Sequence, residues 1–163
     1  MDLRRGAAAL AGTSPTLTEL VALCREAGVE MRVARLPPDW LGAYDDAGRR
    51  ILLARGLTPV EQRCVLAHEL GHALHGHAGG SAADERAAER FAARVLIDPA
   101  ALRAASAWAH DDHELADELG VTVDVVRDYR ALPGSAGACV SARGSASARP
   151  RAARAPRRRR RAP

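Results

Sequence analysis

Lysine is missing from these 163 residues, and every one of the 24 basic side chains is arginine. Together with the abundant alanine, this reads as the codon bias of a high-GC genome rather than as chemistry. Aromatic residues are scarce, five in all, so a core has to be built mainly from Ala, Leu and Val. The three cysteines, Cys24, Cys64 and Cys139, are odd in number and form no CxxC pair. That excludes a disulfide framework and points to reduced thiols in the cytoplasm. No run of eighteen apolar residues exists, so no transmembrane helix is expected. Arg4 and Arg5 before Gly6–Gly12 faintly resemble a signal peptide, but the apolar stretch is short and nearly all Ala and Gly, and a cytoplasmic location is the expectation.

Acidic residues are absent from positions 135–163, which carry nine arginines. The other fifteen arginines face all twenty acids within residues 1–134, a net of −5. The positive formal charge of the whole chain therefore belongs to an appendage, and the remainder is mildly acidic. Residues 1–134 are expected to fold as one domain, since the length suffices for one sizeable core. Residues 135–163 are Ser, Ala, Gly, Pro and Arg and are expected to be a disordered tail. Its Arg157–Arg161 run offers only a weak, sequence-independent attraction for nucleic acid.

Thr16-Leu17-Thr18-Glu19 has the form of a capping box. It opens an apolar stripe of Leu17, Leu20, Val21, Cys24 and Ala27 at helical spacing, which Gly28 stops. Val29, Met31 and Val33 alternate with Glu30 and Arg32, which is strand periodicity, and Pro37-Pro38 ends it. Trp40–Tyr44 and Arg50–Ala54 flank the turn sequence Asp45-Asp46-Ala47-Gly48, which predicts a hairpin. The strands together predict a small antiparallel sheet. Thr58-Pro59-Val60-Glu61 is a second capping box with Pro at the first helical position, opening a helix that fails near Gly76. A further helix starts at Ser81 or Asp84 and ends before Pro99. Short helices follow at Ala100–Ala107, His113–Leu119 and Val123–Ala131. The fold class expected is α+β.

Inside the second capped helix stands His68-Glu69-Leu70-Gly71-His72, an HExxH sequence. On a helix its two histidines lie about 40° apart around the axis and roughly 6 Å along it, so both imidazoles reach one ion. Neutral imidazole suits zinc, and two such ligands leave room for a third ligand and a water. The same ligands also serve manganese or iron; zinc is the reading taken here. Glu69 falls on the neighbouring face, placed to take a proton from the attacking water and pass it to a leaving amine without itself ligating. The third ligand is expected from the next helix. Glu85 and Glu89 are one turn apart; Glu85 is taken as the ligand and Glu89 as a partner orienting one histidine, with Asp84 a weaker competitor. The bland alternative is that both glutamates are ordinary solvated helix acids.

Other residues fit simpler roles. His75 reads as a surface histidine near a helix end, and His77 follows it. His110 and His113 lie in an acidic loop; they, Tyr44 and Tyr129 are open candidates for stabilising an oxyanion. Cys64, one turn before His68, reads as a small buried helix residue rather than a ligand. Residues 112–131 have the outline of a helix-turn-helix, but the second helix sets Arg127 and Arg130 against Asp124 and Asp128, so packing explains it better than DNA reading.

The stretch Cys64-Val65-Leu66-Ala67 followed by the HExxH and Ala73-Leu74, then Glu85 to Ala88 and Glu89 to Pro99 with Phe91 between, resembles the ImmA/IrrE family of metallopeptidases. The hairpin region Leu36–Leu57 and the segment Leu115–Thr122 resemble that family too, so the likeness covers residues 16–132. It implies a gluzincin-like zincin domain with His68, His72 and Glu85 as zinc ligands and Glu69 catalytic. Members typically cleave helix-turn-helix repressors, which implies an endopeptidase whose partner here is a separate repressor protein. The alternative is a non-catalytic regulator that binds such a repressor through the zincin fold. Glu89 departs from the pattern, standing where the family usually has Asn or Asp.

Overall fold

The computed structural model describes residues 10–77 and 80–134. The tail expected at 135–163, with Cys139 and Arg157–Arg161, and most of the signal-like stretch before residue 10 lie outside the described residues. Among the described residues there are six helices and three strands. The first helix, α1 (Leu17–Glu26), is opened by the Thr16 box: Thr16 Oγ1 accepts from Glu19 N, and the Glu19 carboxylate accepts from Thr16 N at 2.7 Å. Its stripe buries Leu20 and Cys24 completely. Glycine then lets the chain reverse, since Gly28 has φ +66, and β1 (Glu30–Ala34) follows.

Strands β2 (Gly42–Asp45) and β3 (Arg50–Ala54) form the expected antiparallel hairpin, in which Asp45 Oδ1 accepts from Gly48 N at 3.1 Å. The sheet as a whole is mixed, not antiparallel: β1 pairs parallel with β3, in the order β1-β3-β2. The long connection through Pro37-Pro38 carries the chain across β3, so the hairpin closes locally while β1 joins its far side. Central β3 buries Ile51 and Leu53, whereas β1 is an edge whose Val33 is 54% exposed, against its alternation.

The second capping box opens α2 (Pro59–His75), which packs across the sheet and ends at left-handed Gly76. Next come α3 (Ala82–Leu96), capped by Ser81; α4 (Pro99–Ala105), capped by Asp98; α5 (Asp112–Leu119), capped by Asp111; and α6 (Val123–Arg130). Helices α5 and α6 turn Leu115, Ala116, Val125 and Val126 into the core, and Arg127 and Arg130 both pair with Asp112. The helix-turn-helix outline is thus spent on packing. No described helix is long and apolar enough to cross a membrane. Together the elements make an α+β fold with α2 at its centre, between the sheet and α3.

Candidate metal centre

Helix α2 sets two candidate ligands one turn apart, His68 and His72, whose side chains leave the same face. Their Nε2 atoms lie 3.1 Å apart. From α3, Glu85 brings Oε2 to 3.5 Å from His68 Nε2 and Oε1 to 3.5 Å from His72 Nε2. Hydrogen bonds from His68 first and His72 second hold the Glu85 carboxyl well below the usual carboxylate range, so it stays anionic.

Glycine within the motif makes this convergence possible. A Cβ on Gly71 would sit 3.0 Å from Phe91 Cδ1 and 3.1 Å from Ala88 Cα. Without it, α3 packs against the α2 backbone at Ala88, one turn beyond Glu85, which draws the carboxylate to within reach of both imidazoles.

A tetrahedral zinc ion with ligand bonds of about 2.0–2.1 Å separates its ligand atoms by about 3.3–3.4 Å. The three separations found here, 3.1, 3.5 and 3.5 Å, bracket that value. Two imidazole nitrogens and a carboxylate also match the donor set of hydrolytic zinc sites. His68, His72 and Glu85 could therefore hold a divalent ion. His72 is 1% exposed while Glu85 is 29% exposed, so the side left for a fourth ligand opens on the cleft.

That cleft has a volume of about 430 Å³. Asp39, Trp40 and Leu41 from the β1–β2 loop form one lip, and Thr122, Asp124 and Val125 at the start of α6 form the other. Its lining includes seven carboxylates and, among the described residues, no arginine. Glu69 lines it beside the histidines and is only 5% exposed. Glycine is required opposite Glu69 as well: a Cβ on Gly42 would meet Val65 Cγ1 at 2.4 Å and the Glu69 Cγ and Oε1 at 3.1 Å. The hairpin can lie against this face of α2 only because position 42 has no side chain. Glu89, one turn along α3 from Glu85, lines the same cleft.

The remaining candidates fall elsewhere. Asp84 caps α3 through Ser81 N and faces His77 Nε2 at 3.5 Å, away from the ligand group. His75 is exposed and hydrogen-bonds Gly71 O through Nδ1 at 2.7 Å. His110 is 87% exposed and pairs with Glu114, and neither it nor His113 lines the cleft. Tyr44 is buried but donates to Asp46 Oδ1 at 3.0 Å, and Tyr129 packs against the core. Cys64 touches the cleft wall; its Sγ accepts from Thr122 N at 3.4 Å and burial pushes its thiol up, as for a core residue. The sequence reading missed Gly42, Gly71 and His77. His77 is folded back under the site, its Nδ1 3.2 Å from His72 Nδ1.

No curated protein matches this chain. The peptidase family model described as the IrrE N-terminal-like domain does match, over residues 24–129, a span that holds the hairpin, the HExxH helix, Glu85 and the α5–α6 pair. That span is well over half of the chain, and the chain belongs to this peptidase family.

Proposed function

We propose that this protein is a zinc-dependent endopeptidase of the cytoplasm that cuts a separate helix-turn-helix regulatory protein. One observation carries the reading: two imidazoles from one helix and a carboxylate from the next converge at zinc-ligand spacing, with Glu69 beside them in the same cleft. His68 Nε2, His72 Nε2 and the Glu85 carboxylate would hold the ion. A divalent ion there would supply Lewis acidity, acidifying a water and polarising the scissile carbonyl.

Glu69 is the general base and then the general acid. Its carboxylate takes the proton of the attacking water and returns it to the leaving amine nitrogen. Burial among Val65 and the hairpin shields that carboxylate from bulk water, which strengthens its interaction with a nearby proton donor. Glu89 orients a ligand histidine from the cleft side. The acidic lining favours a basic peptide segment, and regulators that bind DNA carry such segments. Free, buried Cys24 and Cys64 suit a reducing compartment.

The test is to incubate the protein with purified helix-turn-helix regulators from the same genome, starting with any encoded next to it, and follow cleavage by mass spectrometry. Wild type should cut, and a strong chelator should stop it. Glu69→Gln should keep the metal and lose cleavage by 10²-fold or more, on the order expected for a general base. A Glu69→Gln protein that cuts at the wild-type rate refutes the mechanism. A regulator bound and released intact by both proteins would instead favour non-catalytic sequestration.

A further inference from the structure

Ligand histidines act through one ring nitrogen, and the other nitrogen has to be held by something. In His72 it is Nε2 that faces His68 and Glu85, so Nδ1 must carry the proton for Nε2 to offer its lone pair. That proton needs an acceptor in a site where His72 is 1% exposed. His77 provides one: its Nδ1 lies 3.2 Å from His72 Nδ1, with the two rings edge to face at 5.3 Å. His77 Nδ1 accepts only if the His77 proton is on Nε2, and Nε2 faces the carboxylate Asp84 Oδ1 at 3.5 Å. Each tautomer is thus dictated by the next group outward.

The chain path brings this arrangement about. Gly76, at φ +65, turns the backbone after α2 so that His77 N donates to His72 O at 3.0 Å and the ring returns beneath His72. The His77 ring stacks on His75 at 5.3 Å with an interplanar angle of 22°. Asp84 is fixed too: its Oδ2 accepts from Ser81 N at 3.2 Å and its own N–H donates to Ser81 Oγ at 3.1 Å, leaving Oδ1 for His77.

We propose that His77 and Asp84 are positioning residues that lock the tautomer and ring orientation of His72 for metal binding. This rests on the reading that His68, His72 and Glu85 hold an ion, and the experiment separates the two. Zinc affinity of the full chain is measured by competition with a chromophoric chelator, and the visible spectrum of the Co²⁺ form is recorded. His77→Phe keeps a ring in place but removes the acceptor; His77→Gln restores an acceptor carbonyl without a ring; Asp84→Asn weakens the outer link. His77→Phe should lower zinc affinity by about 10–100-fold, the usual effect of losing such a partner, and shift the Co²⁺ bands while the metal-free protein melts normally. His77→Gln should recover most of the affinity, and Asp84→Asn should cost less than His77→Phe. Adding Asp84→Asn to His77→Phe should cost little more, because the link is already broken. Wild-type affinity in His77→Phe overturns the proposal and leaves the metal centre standing, as does equal loss in the Phe and Gln variants. A wild-type protein that takes up no zinc or cobalt removes both.

Discussion

Replacing Arg63 by Met should cost the fold about 3–5 kcal/mol, although the guanidinium coordinates nothing in the cleft. The side chain leaves α2 one turn after its start and is half buried. Its Nε donates to Pro15 O at 2.8 Å, one terminal nitrogen donates to Gly120 O at 2.7 Å, and the other donates to Ser14 Oγ at 2.7 Å and Leu96 O at 3.4 Å. It thereby ties the segment before α1, the end of α3 and the α5–α6 turn to the helix that carries the HExxH. Among the described residues its partners are carbonyls and a hydroxyl, and burial pushes its pKa down. Each hydrogen bond to a charged donor is worth about 1.5–3 kcal/mol, and carbonyls left unpaired in the interior add to the loss. Relief of the desolvation suffered by the guanidinium subtracts from it, which brings three short bonds to the stated range. In a domain of this size that corresponds to a fall in Tm of roughly 10–20 °C. Arg63→Lys keeps the charge but lacks the fork, so it should lose about half as much. Urea titrations of wild type, Arg63→Met and Arg63→Lys, followed by circular dichroism, give the three stabilities directly. A Met variant within 1 kcal/mol of wild type, or a Lys variant equal to wild type, would show that the three-way tie contributes nothing.

Gly42→Ala should overpack the face of α2 against Val65 at a cost of about 1–3 kcal/mol and displace Glu69, so cleavage should fall more than tenfold while zinc affinity stays near wild type. Pairing it with Val65→Ala should return the stability in a melting experiment. Gly71→Ala pushes against Ala88 and Phe91 and so moves α3 away from α2; here zinc affinity itself should drop, measured by chelator competition. Burial pushes the Cys24 thiol up to about 11. Below about pH 8 the thiol is protonated in both states and this difference has no effect. As pH rises towards 11 only the unfolded chain ionises, so stability should decline by on the order of 2 kcal/mol, a loss that Cys24→Ala should flatten in urea titrations at pH 8 and 10.5.

What could be read without coordinates was what the chain decides locally. Three capping boxes, at Thr16, Thr58 and Ser81, each bind groups three residues apart; the first two start helices where the sequence placed them, and the third decides a start that the sequence left open between Ser81 and Asp84. The hairpin was legible because Asp45 and Gly48 close the turn between its strands. The pairing of β1 was not, since nothing in residues 29–34 states that they will lie parallel to β3 after a crossing connection. The same division runs through the metal centre. His68 and His72 follow from a spacing of four on one helix, whereas Glu85 joins them through a helix–helix approach that depends on Gly71 meeting Ala88. His77 was illegible as a partner of His72 because a left-handed residue, Gly76, swings it back beneath the helix it has just left.

The first turn of α3 has a consequence for how distant surface changes are felt. Ser81 is solvent-exposed and touches no ligand, yet it holds the carboxylate of Asp84, and the neighbouring residue in the chain is Glu85. Fraying at that exposed end would loosen a ligand and the support beneath another at once, so the ion and the helix start should be gained or lost as one unit.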